Sequence, residues 1–396
     1  MTDRRFDQSG INHTWGYAMK YVQMLFLTLL HIMLLIFSFG CSKDYTPTSY
    51  RFPFPAAADT IGGIRNPFWT NDGSNIIGIG HVFGREGDDF YEIPPAGGQP
   101  RRIYRDSLEK DMPILSPDGR SIAYLAAQMG RIYSRAHVWI VTLTGTAARD
   151  LTPSGGNWEN LRWSPDSRYV VFDGGVEDSG AVNYQIAKAT VQSADLKMMT
   201  RSSRFGNRDP VYVANGNRIA FSSNRIQTDY GGKVWLMDDD GSNPVPIDTT
   251  RTASVYPRPS PARSDLVFSW GLGGEADAGT YIINLDSVIL PAQPGSFQPV
   301  YPHAELNIMA WSPDGNWILL PIETSSDSKD LFLMNRTGGM MRRLTTGYYV
   351  YLFSYPWSPD SRYLVFTASD DHNTTIHSFT YDLNTSKLTK LILTHK

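Results

Sequence analysis

Six short polar stretches hold most of the side chains with chemical reach. They are His81, Arg85, Asp88 and Asp89; Arg131, Tyr133 and Arg135; Glu177 and Asp178; Arg225, Asp229 and Tyr230; Trp270, Glu275 and Asp277; and Asp370, Asp371 and His372. Arginine, tyrosine and tryptophan suit recognition, because each offers a large contact area together with directed donors. Histidine beside aspartate suits proton transfer or metal ligation, but His81, His137, His303, His372 and His377 show no metal-ligand spacing. Asp238-Asp239-Asp240-Gly241-Ser242-Asn243 begins like a calcium loop. Thr249 stands at the twelfth place, where a bidentate glutamate is needed, and a hairpin turn accounts for the run equally well. No Gly-x-Ser-x-Gly occurs, so serine-peptidase chemistry is not expected. Neither a catalytic set nor a cofactor or resident metal is expected from these residues.

The elements that must position these side chains repeat. Seven times an aromatic or apolar anchor precedes a tight turn and then a short strand-forming run. The anchors are Trp69, Leu115, Trp163, Tyr212, Pro259, Trp311 and Trp357, spaced 46, 48, 49, 47, 52 and 46 residues apart. A period of this size means stacked supersecondary units. Asp118, Asp166, Asp314 and Asp360 hold equivalent places in Ser-Pro-Asp turns. There proline presets one φ angle, and the aspartate is expected to accept backbone N–H groups as a structural residue.

Repeat 3 shows the unit. Glu159–Trp163 reads as a strand, a, and the turn after it leads to strand b, Tyr169–Phe172. A polar loop is expected over Asp173–Asn183, then strand c over Tyr184–Thr190 and strand d over Leu196–Thr200. Four antiparallel strands with two apolar faces cannot stand alone, but packed radially they close a ring. The expected fold is all-β, a seven-bladed β-propeller, with six or eight blades as the alternatives. The a–b and c–d turns would lie on one face and the longer b–c and d–a loops on the other. That second face is the expected site, with His81, Arg85, Arg131, Tyr133, Arg135, Arg225, Tyr230, Trp270, Asp371 and His372 as candidate binding residues.

The order Trp-Ser-Pro-Asp-Gly, Ile-Ala-Phe, Ser222-Ser223-Asn224-Arg225, Val-Trp-Leu-Met-Asp, Asp-Gly resembles the TolB-type, WD-repeat-like β-propeller. The resemblance covers residue 64 to the end and is weakest in repeat 5, where Ala262 and Arg263 replace Asp-Gly. It implies a propeller without the extra α/β domain of TolB itself. Seven-bladed oligogalacturonate lyases are similar in architecture. That likeness implies an alternative in which a metal gathered in the central channel serves a polysaccharide-active lyase or hydrolase.

The single cysteine, Cys41, follows an apolar run over residues 21–40 that is preceded by Lys20. This resembles the lipobox of bacterial lipoproteins, although Ser38 stands where leucine is usual. The alternatives are an uncleaved membrane anchor, since about 20 apolar residues span a bilayer, and a buried thiol. Met19 reads as a natural start. Residues 1–40 are then a signal peptide or anchor, 41–63 the lipidated cysteine and tether, and 64–396 the propeller. The chain holds 36 basic and 39 acidic residues without a basic block, which argues against nucleic acid as a partner. The expectation is a monomeric, non-catalytic lipoprotein of the cell envelope, exposed to the periplasm or the cell surface. It would be held to the membrane by lipid and would bind a protein or envelope glycan.

Overall fold

A computed structural model describes residues 61, 63–82, 86–178, 180–213, 216–226, 232–250, 252–271, 278–302, 309–352, 355–369 and 376–394. Cys41, Arg85, Tyr230, His303, Asp371, His372 and the apolar run at 21–40 lie outside them. Among the described residues no helix is long and apolar enough to cross a membrane.

The described chain is almost wholly antiparallel sheet. Five four-stranded sheets follow one another in sequence order, each a meander, and the last strands form one eight-stranded sheet. Within that sheet, the strands from Ala310–Trp311 to Met341–Arg343 meet those from Tyr349–Tyr351 to Lys387–Lys390 through one parallel pair, Lys329 with Tyr349. The b strands are apolar on both faces, as in Ile122–Ala127 and Ile219–Phe221, because each sheet is covered on both sides by its neighbours. Clusters built from two successive sheets, such as Ile114, Leu125 and Val138 with Leu161, Val170 and Phe172, form the core.

The anchors join one repeat to the next. The indole N–H of Trp163 donates to the Ile114 carbonyl (3.0 Å), that of Trp311 to Arg258 (2.9 Å) and that of Trp357 to Ala310 (3.1 Å). In each case the acceptor lies just before the anchor of the preceding repeat. Tryptophan is selected there because it fills an apolar seam and carries a donor.

The a–b turns form a second line of stitches. Ser116 Oγ donates to Asp118 (2.6 Å), Ser164 Oγ to Asp166 (2.6 Å), Ser312 Oγ to Asp314 (2.5 Å) and Ser358 Oγ to Asp360 (2.5 Å). Each aspartate also accepts the backbone N–H two residues on. The following position is left-handed in each, φ 71° at Gly119 and 60° at Ser167. Ser167 adopts a conformation that favours glycine, and its hydroxyl accepts the Asp118 N–H of the neighbouring turn (3.0 Å).

First and last sheets meet directly. Val365 and Leu391 pack with Ile64, Trp69 and Ile76, and Ser378 Oγ donates to the Ile64 carbonyl (2.6 Å). The tail adds a clamp: Gly98 N–H donates to Ile392 O, and Thr394 N–H to Gly98 O, both at 2.9 Å.

Two expectations need correction. Asp173–Asn183 is not a loop. Strand b of repeat 3 runs Tyr169–Asp178 and strand c Ala181–Thr190, paired in register from Tyr169↔Thr190 to Asp178↔Ala181. Glycines 174 and 175 read as loop residues, yet sit in the ladder where Asn157 and Trp158 crowd Gly174. Strand d of that repeat is also shorter, Leu196–Met198.

Candidate functional site

The first strand of repeats 1 to 5 carries a bulge that sequence reading missed. Asn66, Met112, Asn160, Asp209 and Tyr256 have φ between 46° and 58°, and each lies three residues before its anchor. The pairing with strand b slips at the same place in all five. Bulges re-aim side chains and gather near functional centres. Asparagine or aspartate at a fixed offset was the available signal, since these residues tolerate the left-handed region best.

In repeats 3 and 4 the bulges assemble a buried carboxyl site. Asp173 is fully buried and accepts Asn160 Nδ2 (3.1 and 3.2 Å) and the Asp209 backbone N–H (2.5 Å). Burial, and then the charge of Asp209, push its pKa up to about 8. Both burial and the neighbouring carboxylate favour the protonated form of Asp173, against the N–H groups it accepts.

Where repeats 1 and 2 meet, buried ionic groups pair with one another. Buried Asp88 pairs with Arg65, accepts the Lys110 N–H (2.9 Å) and faces His81 Nδ1 at 3.3 Å. Burial alone would raise the Asp88 pKa, but Arg65, His81 and that N–H outweigh it and lower it. The hydrogen bond to Asp88 raises that of His81. The Lys110 ammonium is fully buried, paired with Asp106 and bonded to the Asp88 carbonyl (2.5 Å).

Repeat 2 contributes a preorganised loop. Ile132 and Ala136 plug into the core, Gly130 N–H donates to Glu109 Oε2 (2.9 Å), and Arg131 O accepts from the N–H groups of Ser134 (3.0 Å) and Arg135 (2.9 Å). Asn157 Nδ2 reaches the Tyr133 carbonyl (3.3 Å). Arg131, Tyr133 and Arg135 are thereby held in solvent on a fixed frame, with Tyr133 54% and the adjacent Met129 45% exposed. Partial burial of its hydroxyl, then Asp111, push the Tyr133 pKa up to about 12.

The other candidates divide. Arg225 is half-buried, its guanidinium 5.0 Å from the Phe205 ring, 5.2 Å from Trp235 and 5.7 Å from Phe221. Trp270 is a correction. It ends strand Asp265–Trp270, is 6% exposed, and packs on Phe297 (centroids 4.7 Å) and Tyr281 (5.6 Å). Strand b runs two residues beyond the expected Leu266–Phe268 and carries Trp270 into the buried sheet. Asp238–Asn243 is a hairpin turn in which the Asp238 and Asp240 carboxylates serve the turn and that of Asp239 pairs with Lys188 of the preceding repeat (2.9 Å). Asp240 accepts the Ser242 N–H (2.8 Å) and Asp238 accepts Asn243 Nδ2 (2.7 Å). Among the described residues no three His, Cys, Asp or Glu side chains come together as a metal-binding group.

Successive four-stranded antiparallel meanders, packed face to face, define a β-propeller. No protein-family profile matches the chain. A TolB homologue of Chlorobaculum tepidum is 29% identical over 133 residues, 33% of this chain and 27% of the relative. The oligogalacturonate lyase of Vibrio parahaemolyticus is similar in structure, with a TM-score of 0.60 and 14% identity over 83% of this chain and 93% of that one. The β-propeller domain of the trilobed protease of Pyrococcus furiosus, described as having an open velcro topology, gives a TM-score of 0.58. Its identity is 11%, over 83% of this chain and 97% of that one. The chain spans between 27% and 51% of the length of the curated relatives it matches.

Proposed function

We propose that this chain is a non-catalytic β-propeller that binds a protein partner on its long-loop face. In this reading residues 1–40 are removed as a signal peptide, Cys41 is lipidated, residues 42–63 tether, and residues 64–396 form seven blades at the periplasmic or outer surface of a bacterial envelope. The observation that carries the binding reading is the 128–136 loop. Tyrosine and arginine dominate hot spots in interfaces, and a loop already ordered loses little entropy on binding. Seven blades are supported by the seven anchors and by the single parallel pair that divides the eight-stranded sheet. Closure by packing and by the tail clamp agrees with a ring in which no strand is exchanged between first and last sheets.

The test is cross-linking in solubilised envelope with the triple variant Arg131→Ala, Tyr133→Ala, Arg135→Ala. The partner band of the wild type should vanish while the melting temperature stays within about 2 °C. A band of unchanged intensity would refute the assignment of that loop. Cys41→Ser should abolish incorporation of labelled palmitate; a wild-type protein without lipid would refute the anchor.

A second reading, a polysaccharide-active enzyme, is supported by the buried Asp173, whose raised pKa beside Asp209 suits a group that holds and gives up a proton. Titration of the full chain with Mn²⁺ tests its metal arm. Calorimetric saturation at a single site would favour the enzyme over the binding module.

A further inference from the structure

The connection from repeat 3 to repeat 4 is an edge of unneutralised arginines. Arg201 and Arg204 are exposed and Arg208 and Arg225 half-buried. Among the described residues none of the four meets a carboxylate, whereas Arg65, Arg101, Arg168, Arg336, Arg343 and Arg362 all do. Two of the four lie on aromatic rings instead. The Arg208 guanidinium is 3.2 Å from the Tyr184 centroid, and Arg225 stands among Phe205, Trp235 and Phe221 with its Nε buried and unpartnered. Burial lowers the Arg225 pKa, and no acid opposes that effect.

The frame under these cations is rigid. Gln185 Nε2, on a buried side chain, donates to the carbonyls of Ser202 and Phe205, both at 3.0 Å. Buried Asn207 Nδ2 donates to Gln185 Oε1 (3.0 Å). Asn183 Nδ2 holds the Ser203 carbonyl (2.8 Å), and Gly206 N–H donates to Asn224 Oδ1 (2.7 Å). Segments 183–185, 201–208 and 224–225 are thereby one surface. Glu159, on the neighbouring inner strand, accepts the Tyr184 hydroxyl (3.1 Å) rather than pairing with Arg208. In a chain of net charge -3, four cations on one frame, none of them paired with a carboxylate, offer an anionic ligand its counter-charges.

We propose that this edge is a second docking site, which takes an extended acidic segment of a protein partner; it rests on the reading of the propeller as a protein-binding module. A guanidinium fixed by stacking presents its outer N–H groups in one plane, the geometry that pairs with carboxylates two bonds at a time. Arg201, Arg204 and Arg208 are strung along a segment that reaches at most about 25 Å. A peptide with carboxylates every second to fourth residue matches that span.

The experiment uses the detergent-solubilised full chain and a fluorescein-labelled peptide of alternating Glu and Ser, followed by anisotropy at low and at physiological salt. Wild type should bind, and more weakly as salt rises. Arg201→Gln with Arg204→Gln should weaken binding by about tenfold or more. Arg201→Lys with Arg204→Lys should recover only part of it, because charge returns without the planar fork. Arg342→Gln, an exposed arginine on another sheet, should leave the affinity unchanged. Absence of binding, or binding insensitive to the Arg201 and Arg204 changes, would overturn the proposal. So would a polyuronate of equal charge density that binds more tightly than the peptide. The 128–136 triple variant is run beside these. Loss of the cross-linked band there, with peptide binding intact, separates failure at one site from failure at the other.

Discussion

Repeat 1 and the 201–225 edge hold similar numbers of cations and use them in opposite ways. In repeat 1 Arg65 and Arg101 each meet a carboxylate, as does Lys110 on the adjoining first strand of repeat 2, and Asp88, at 3% exposure, lies where Arg65, His81 and the Lys110 N–H converge. At the 201–225 edge the same residue types stack on rings and face water. Buried charges must be compensated in place or the fold loses several kcal/mol. Exposed charges on a rigid frame cost the fold little and keep their interaction energy for a ligand. The contrast teaches that in a repeat scaffold the role of an arginine is set by what the neighbouring repeat places against it.

Five variants test the contrast, from the largest effect to the smallest. Asp88→Ala leaves Arg65 without its buried partner and should cost about 3–5 kcal/mol in urea unfolding. A loss below about 1 kcal/mol would make the repeat 1 cluster incidental to the fold.

Next in size is Asp173→Asn. An acid whose folded pKa lies above its unfolded value of 3.8 favours the protonated folded state. Its stabilisation is complete below the ordinary carboxylate range and is lost as pH rises toward about 8. Wild-type stability should therefore fall across that window, and Asp173→Asn, which keeps the neutral shape, should flatten the slope. Melting curves at pH 5, 6.5 and 8 would show an unchanged slope if Asp173 were ionised throughout.

Smaller still are the repeat stitches. Asp118→Ala should cost about 0.5–2 kcal/mol through the loss of two accepted bonds in the turn. Trp163→Phe keeps the apolar seam but removes the bond to Ile114 and should cost about 1 kcal/mol. Chemical denaturation that found either change neutral would leave blade contacts to apolar packing alone.

Much of this architecture was legible in the chain. The anchors, the Ser-Pro-Asp turns and the doubly apolar b strands follow from local rules, since proline, aspartate and β-branched residues act within a few positions of themselves. The candidate site was legible in part. Arg131, Tyr133 and Arg135 do stand exposed on one loop, because a polar run between two strands has few other places to go. Trp270 was misread because burial on both faces of a sheet depends on the next sheet, which the local sequence does not contain. Asp173 was hidden for the same reason: its partner Asp209 is 36 residues away and arrives only when two bulges meet. Arg225 was legible as a loop cation, but Arg201, Arg204 and Arg208 were not joined to it, because the contacts that bring the two segments together run through Gln185, Asn207 and Asn224.

The smallest expected effect is also the sharpest test. Arg201→Gln with Arg204→Gln should change stability by less than about 0.5 kcal/mol, since neither cation supports the fold. Urea unfolding of this double variant beside Asp88→Ala, in one buffer at neutral pH, tests the central claim most directly. The account predicts a wild-type midpoint for the arginine variant and a large fall for Asp88→Ala. Equal losses in the two would contradict it, because the 201–225 arginines would then be holding the fold together as those of repeat 1 do.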